Sequence, residues 1–215
     1  MSVRVVVFLI GLVGFTIAAS VFLLQRKSQT IDLPISSRDL IVEPSPTVSS
    51  VTTSSFIVPV EGFLGRINKK PFGIYITKDN SPVSPERFAG YHTGVDVEYG
   101  DVEIDVPVFA VVDGVVVTAK TASGYGGVMV VKGQIDGRAL YFVYGHVRPS
   151  SLVAVGTTVT KGQQLAVLGT GYSQETDVER RHLHFGIAKT NSILGYVDSQ
   201  EKLNEGWIDP LELWR

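Results

Sequence analysis

The stretch PVFAVVDGVVVTAKTASGYGGVMVVKGQIDGRALYFVYGH, from Pro107 to His146, decides the fold class. Its apolar runs are short and rich in valine, and each one ends in a turn signal: Asp113-Gly114, Ser123-Gly124 or Asp136-Gly137. Such punctuation predicts strands over Pro107–Val112, Val115–Ala119, Val128–Lys132 and Ala139–His146, joined by tight hairpins.

Working outward, the same grammar continues on both sides. Phe72–Thr77, Gln164–Leu168 and His182–Ala188 read as further strands, and Lys161-Gly162 as another turn. No long pattern of helical period separates them, which favours an all-β, antiparallel sandwich or barrel over alternating βαβ units. One short helix is predicted near the C-terminus, where Asp209 caps it and Pro210 stands in its first turn, a place where the missing N–H costs nothing.

The N-terminal part has a different character. From Val5 to Leu24 the chain reads VVVFLIGLVGFTIAASVFLL, without a charge. As a helix this run extends about 30 Å, the thickness of a bilayer's hydrocarbon core. Ala18-Ala19-Ser20 offers small residues for signal cleavage, but the apolar run continues past them, so an uncleaved anchor is the preferred reading. Residues 28–55, with TVSSVTTSS at Thr47 to Ser55, bury too little apolar surface to offset their ordering entropy and read as a flexible tether. The predicted organisation is thus an anchor over 1–27, a linker over 28–55 and a folded domain over 56–215. The domain is placed on the extracytoplasmic side because of the chemistry below.

Composition narrows the chemistry. With 19 basic residues against 21 acidic ones, the chain has no electrostatic footprint for nucleic acid. Cysteine is absent, which excludes disulfides, thiolate metal sites and a cysteine nucleophile. A metal site must therefore use His, Asp or Glu, and the 215 residues hold only four histidines.

All four fall in three short motifs. In Gly90-Tyr91-His92-Thr93-Gly94-Val95-Asp96, His92 and Asp96 offer an imidazole nitrogen and a carboxylate oxygen. Gly94 and the β-rich surroundings argue for a loop running into a strand there. In Arg181-His182-Leu183-His184-Phe185, residues two apart share one strand face, so His182 and His184 point together into a cleft while Leu183 and Phe185 face the core. The third motif, Tyr144-Gly145-His146-Val147, ends an apolar strand. A catalytic zinc needs three protein ligands and an open position, with a further group to handle protons. Four histidines and one aspartate are sufficient for both.

In this order, HTGVD, YGHV and HLHF resemble the LytM/lysostaphin-type metallopeptidases, a glycyl-glycine endopeptidase family that hydrolyses peptidoglycan. The likeness extends to Pro107–Ala110, Asp113–Val116, the glycine-punctuated hairpins around Gly156, Val159, Gly162, Gly169 and Ser173, and Ile208-Asp209-Pro210. It implies a β-rich peptidase domain whose groove has a metal on its floor. His92, Asp96 and His184 are then the ligands of one zinc ion, and His146 and His182 serve the catalytic water and the transition state. The implied partners are a peptidoglycan peptide as substrate and a membrane through the N-terminal segment; a protein activator is left open, as is the choice of base. Two stretches are longer than the family's usual links, EYGDVEIDV (Glu98 to Val106) and YSQETDVERR (Tyr172 to Arg181), and both are expected to border the groove. Two other readings are a catalytically silent cell-wall-binding module of the same fold and a biotinyl- or lipoyl-type carrier. The first requires lost ligands, and the second leaves the histidine clustering without a cause.

Overall fold

The computed structural model describes residues 56–215. The predicted anchor and tether lie outside the described residues. Among those described, no helix is long and apolar enough to cross a membrane.

Strands follow one another closely along the chain: β1 (Tyr75–Ile76), β2 (Gly90–His92), β3 (Gly94–Glu98), β4 (Pro107–Phe109), β5 (Gly114–Ala122), β6 (Gly126–Ile135), β7 (Arg138–Val147), β8 (Thr158–Val159), β9 (Gln164–Val167), β10 (His182–Ala188) and β11 (Tyr196–Val197). Among the described residues a single α-helix, α1 (Gln200–Gly206), precedes β12 (Trp207–Ile208) and a closing 3-10 turn at Pro210–Trp214. Every strand pairing among the described residues is antiparallel, so the expected class holds. The main sheet runs β12-β10-β7-β6-β5-β8, with β3 also paired to β10; β1-β2-β11 and β4-β9 form two smaller sheets.

Hairpin chemistry sets the middle of this sheet. Asp136 and Gly137 both have positive φ, 50° and 74°, as a two-residue turn between twisted strands demands. The paired strands β6 and β7 then supply two buried faces. Met129 and Val131 join one apolar cluster with Phe142 and Tyr144, while Val128 and Val130 join another with Val143 and Trp207. Alternation along β10 is equally clean: Leu183, Phe185 and Ile187 enter the larger cluster, and the intervening histidines face the other way. Phe63 and Trp214 bring both ends of the described chain onto Phe185, with ring centroids 5.8 and 6.3 Å away. Burying a phenylalanine of this kind stabilises the fold by roughly 1.5–3 kcal/mol.

The structure departs from expectation in three places. The strand predicted over Phe72–Thr77 shrinks to β1, because Gly73 adopts φ 77° and turns the chain just before it. The 92–96 motif does not begin as a loop: His92 closes β2 and Asp96 sits in the centre of β3. Helix α1 was not anticipated, although Ser199 caps it by accepting a hydrogen bond from Lys202 N. With only Leu203 buried on it, α1 has too little apolar periodicity to be legible. The short helix predicted at Pro210 forms as the 3-10 turn over Pro210–Trp214 rather than as an α-helix, and Asp209 caps it by accepting from Leu211 N as expected.

Candidate metal centre

The site is built on the face of β10 that carries His182 and His184. Strand register places Asp96 directly opposite His184, and Glu98 opposite His182. On the other side of β10, Gly145 of β7 lies opposite His184 and leaves room for the Tyr125 ring, which comes within 2.3 Å of where a Cβ would be. His92 arrives from β2, which is clasped by β11 through the pair His92–Tyr196.

His146 reaches this face by a different device. Simple alternation along β7 would send it to the same side as Tyr144, into the core. However, β6 and β7 shift register at Gly127/Val128: Val147 pairs with Gly127 and Gly145 with Val128, leaving His146 as the extra residue. Its φ is 60°, the left-handed region that a non-glycine residue seldom occupies. The bulge therefore re-aims the imidazole into the groove, at a backbone cost of the order of 1–3 kcal/mol. The His146 and His182 ring centroids end 4.1 Å apart.

Three atoms converge at the centre. His92 Nε2 lies 3.0 Å from His184 Nδ1. Asp96 Oδ1 lies 3.2 Å from each of them. A tetrahedral ion with bonds of about 2.0–2.1 Å separates its ligand atoms by about 3.3 Å, so the triangle has the right size for zinc. Hydrogen bonding also fixes the imidazoles suitably. His92 donates Nδ1–H to the Pro71 carbonyl (3.1 Å), which leaves the Nε2 lone pair facing inward. His182 and His146 do the same with the carbonyls of Arg180 (2.9 Å) and Thr176 (3.3 Å). All five residues predicted from the sequence are thus brought together, and each is at most 5% exposed.

Electrostatics fit the same picture. Burial pushes the Asp96 carboxyl up, but His182, His92 and Arg180 outweigh it and hold the group well below the ordinary carboxylate range. Burial drives the His146 imidazole down to about 3, with Asp96 restoring only part of the loss. His182 and His184 are displaced downward for the same reason. Neutral imidazoles and an ionised carboxylate are the forms that ligate a metal.

These displacements carry a pH dependence. Imidazoles neutral in the fold protonate first in the unfolded chain, so stability is full above the ordinary histidine value of 6.5 and declines toward pH 3, where His146 itself takes up a proton. Each such histidine contributes a slope of about 1.4 kcal/mol per pH unit. Asp96 has the same sign lower down: its contribution is present above 3.8 and is lost as pH falls through its depressed folded value. The thermal unfolding midpoint of chelator-treated protein is expected to fall steadily from pH 7 to pH 4. A flat profile there would show that the histidines are not buried neutral.

Above the centre lies a cavity of about 340 Å³, walled in part by Phe88, Tyr125, Ile193, Leu194 and Tyr196. The segment before β2 forms one wall. Phe88 stacks on Tyr196, with centroids 5.7 Å apart, and Arg87 reaches Glu179 (2.8 Å) and the Asp177 carbonyl (2.7 Å) across the opening. Lys70 is buried against Glu86 and the Tyr196 hydroxyl. Of the two long stretches expected to border the groove, one does and one does not. Glu179 and Arg180 line the cavity, but no residue from Glu98 to Val106 does. The latter loop is tied down on the outside, with Asp101 held by Arg66, Asp105 by Arg148, and the Val102 and Ile104 carbonyls by Arg181. Sequence reasoning also missed Arg180 and Glu98, which contact Asp96 directly or through one another. The signal was available for Glu98, which shares the strand face of Asp96 by its spacing of two.

Imidazoles and a carboxylate on the floor of an antiparallel groove make a candidate metal centre on a β-protein. The chain belongs to peptidase family M23, whose family model matches residues 90–198. The resemblance to LytM/lysostaphin-type enzymes is thereby borne out. Among solved structures the chain is similar to Helicobacter pylori Csd3 (23% identity, TM-score 0.43), covering 74% of this chain and 33% of that one. It is also similar to a chain of the SpoIIQ–SpoIIIAH pore-forming complex (23% identity, TM-score 0.48; 74% of this chain and 89% of that one) and to LytU (24% identity, TM-score 0.44; 68% and 82%). The chain therefore spans about a third of the length of Csd3. Comparison with curated proteins returned no match.

Proposed function

We propose that this protein is a zinc-dependent endopeptidase that hydrolyses peptide bonds of bacterial peptidoglycan for cell-wall remodelling, from a position anchored on the extracytoplasmic face of the membrane. The observation that carries the reading is the triangle of His92 Nε2, Asp96 Oδ1 and His184 Nδ1, with sides of 3.0, 3.2 and 3.2 Å. In this reading those three residues hold one zinc ion. When bound, the ion supplies a Lewis acid toward the scissile carbonyl and acidifies a water in its open position.

The protein's own residues do the rest. Each of His146 and His182 directs its unprotonated Nε2 into the groove, because a backbone carbonyl holds the proton on Nδ1. Either imidazole accepts the proton given up by the attacking water, and the resulting imidazolium hydrogen-bonds the oxyanion that develops on the substrate carbonyl. Cavity walls of Phe88, Tyr125 and Tyr196 exclude water around the reacting bond and present flat apolar surface to an extended peptide. The alternative of a catalytically silent module gains nothing here, since none of the five positions is vacated.

The test uses purified full-length protein in detergent, incubated with isolated peptidoglycan with and without a chelator. Newly released amines, located by mass spectrometry, are expected only without the chelator and identify the bond cut. Stoichiometric zinc with no cleavage would instead point to a regulated enzyme awaiting an activator, and no bound zinc would support the silent-module reading.

A further inference from the structure

Asp96 has one oxygen to spare. Oδ1 faces His92 and His184, while Oδ2 accepts a 2.7 Å hydrogen bond from Arg180 Nη2. The same guanidinium is gripped by Glu98, with Nε 3.0 Å from both carboxylate oxygens and Nη2 2.7 Å from Oε1. Arg180 and Glu98 are each 8% exposed, and Asp96 and Glu98 stand two apart on β3, on one face. We propose that Arg180 is a positioning residue which, with Glu98 as its counter-charge, clamps the Asp96 carboxylate so that it offers a single oxygen to the metal.

This clamp follows from charge and geometry and rests on the zinc reading above. A buried ion pair contributes little to stability compared with apolar residues of similar volume, so folding alone is a poor reason for this one. A guanidinium beside a divalent ion is electrostatically unfavourable unless something balances it. Glu98 does so through Nε and Nη2, and Nη2 is shared with Asp96, so one guanidinium edge joins the two carboxylates. Arginine suits the task because its planar fork serves two carboxylates at once, which a lysine cannot do. Groups that hold metal ligands in this way commonly account for 10–100-fold in affinity.

Two readouts on the full-length protein separate a clamp from a mere structural tie. The first is the visible spectrum of the cobalt(II)-substituted protein. In Arg180→Met, Asp96 is released to bind through both oxygens, and the strong absorption of four-coordinate cobalt is expected to give way to the weaker bands of higher coordination. The second is zinc affinity, measured by competition with a chromophoric chelator. Glu98→Gln leaves an unbalanced guanidinium on Asp96 and is expected to weaken zinc 10–100-fold, with part of that recovered in Glu98→Gln/Arg180→Met. Should Arg180→Met fail to fold, the comparison of Glu98→Gln with the wild type carries the test. Variants with lowered thermal stability but wild-type cobalt spectra and wild-type zinc affinity would overturn the clamp while leaving the enzyme reading intact. A wild-type protein that binds neither metal would overturn both.

Discussion

Replacing His184 with alanine is expected to abolish zinc retention and peptidoglycan hydrolysis together, whereas His146→Ala and His182→Ala should keep one zinc per chain and lose activity by roughly 10²–10⁴-fold. The difference follows from where the nitrogens point. His184 Nδ1 forms one corner of the triangle with His92 and Asp96, so without it two protein ligands remain where a catalytic site needs three. His146 and His182 stand beside the triangle with their rings 4.1 Å apart, and their loss removes proton handling rather than coordination. Because the two rings act on the same proton and the same oxyanion, their effects should not multiply: the double alanine variant is expected to be little worse than the poorer single. Zinc content by atomic absorption, read beside the rate of amine release, checks both points. Zinc retained at full occupancy in His184→Ala would remove it from the ligand set.

The second large effect is expected at a residue with no functional group. A Cβ on Gly94 would lie 2.4 Å from the Phe185 carbonyl oxygen and 2.9 Å from His184 Nε2. The first obstacle is backbone, so β3 must move away from β10 to admit the methyl group. Overpacking of this kind costs about 1–3 kcal/mol or more, which in a domain of this size lowers the unfolding midpoint by roughly 2–4 °C per kcal/mol. The site suffers separately, since β3–β10 pairing is what sets Asp96 opposite His184. Gly94→Ala is therefore expected to bind zinc more weakly than its stability loss alone explains. Calorimetry with and without added zinc checks this: an equal midpoint shift in both conditions would confine the effect to folding.

Much of this architecture is legible in the chain, and the reasons are local. Turn chemistry at Asp136-Gly137 and valine-rich runs on both sides leave the β6–β7 hairpin few alternatives, since φ is positive at both turn residues and both faces of the strands are buried. Period-two alternation along β10 was equally decisive, sending Leu183 and Phe185 to the core and His182 and His184 to the groove. With no cysteine and only four histidines, a metal site had few residues from which to be built.

What the sequence by itself determined is the strand character of the domain and the identity of the groups that carry its chemistry, because both depend on residue type and short spacing. Only the tertiary structure decided how those groups meet. His146 would alternate into the core but for a register shift and a left-handed φ, and a bulge is a property of two paired strands, not of one. The Arg180–Glu98–Asp96 contact joins residues more than eighty positions apart, through the register of β3 on β10. The loop from Glu98 to Val106 turned outward because arginines elsewhere in the chain hold it there. Long-range pairing and ion pairs of this kind are fixed by where strands end up in space, so a local pattern does not encode them.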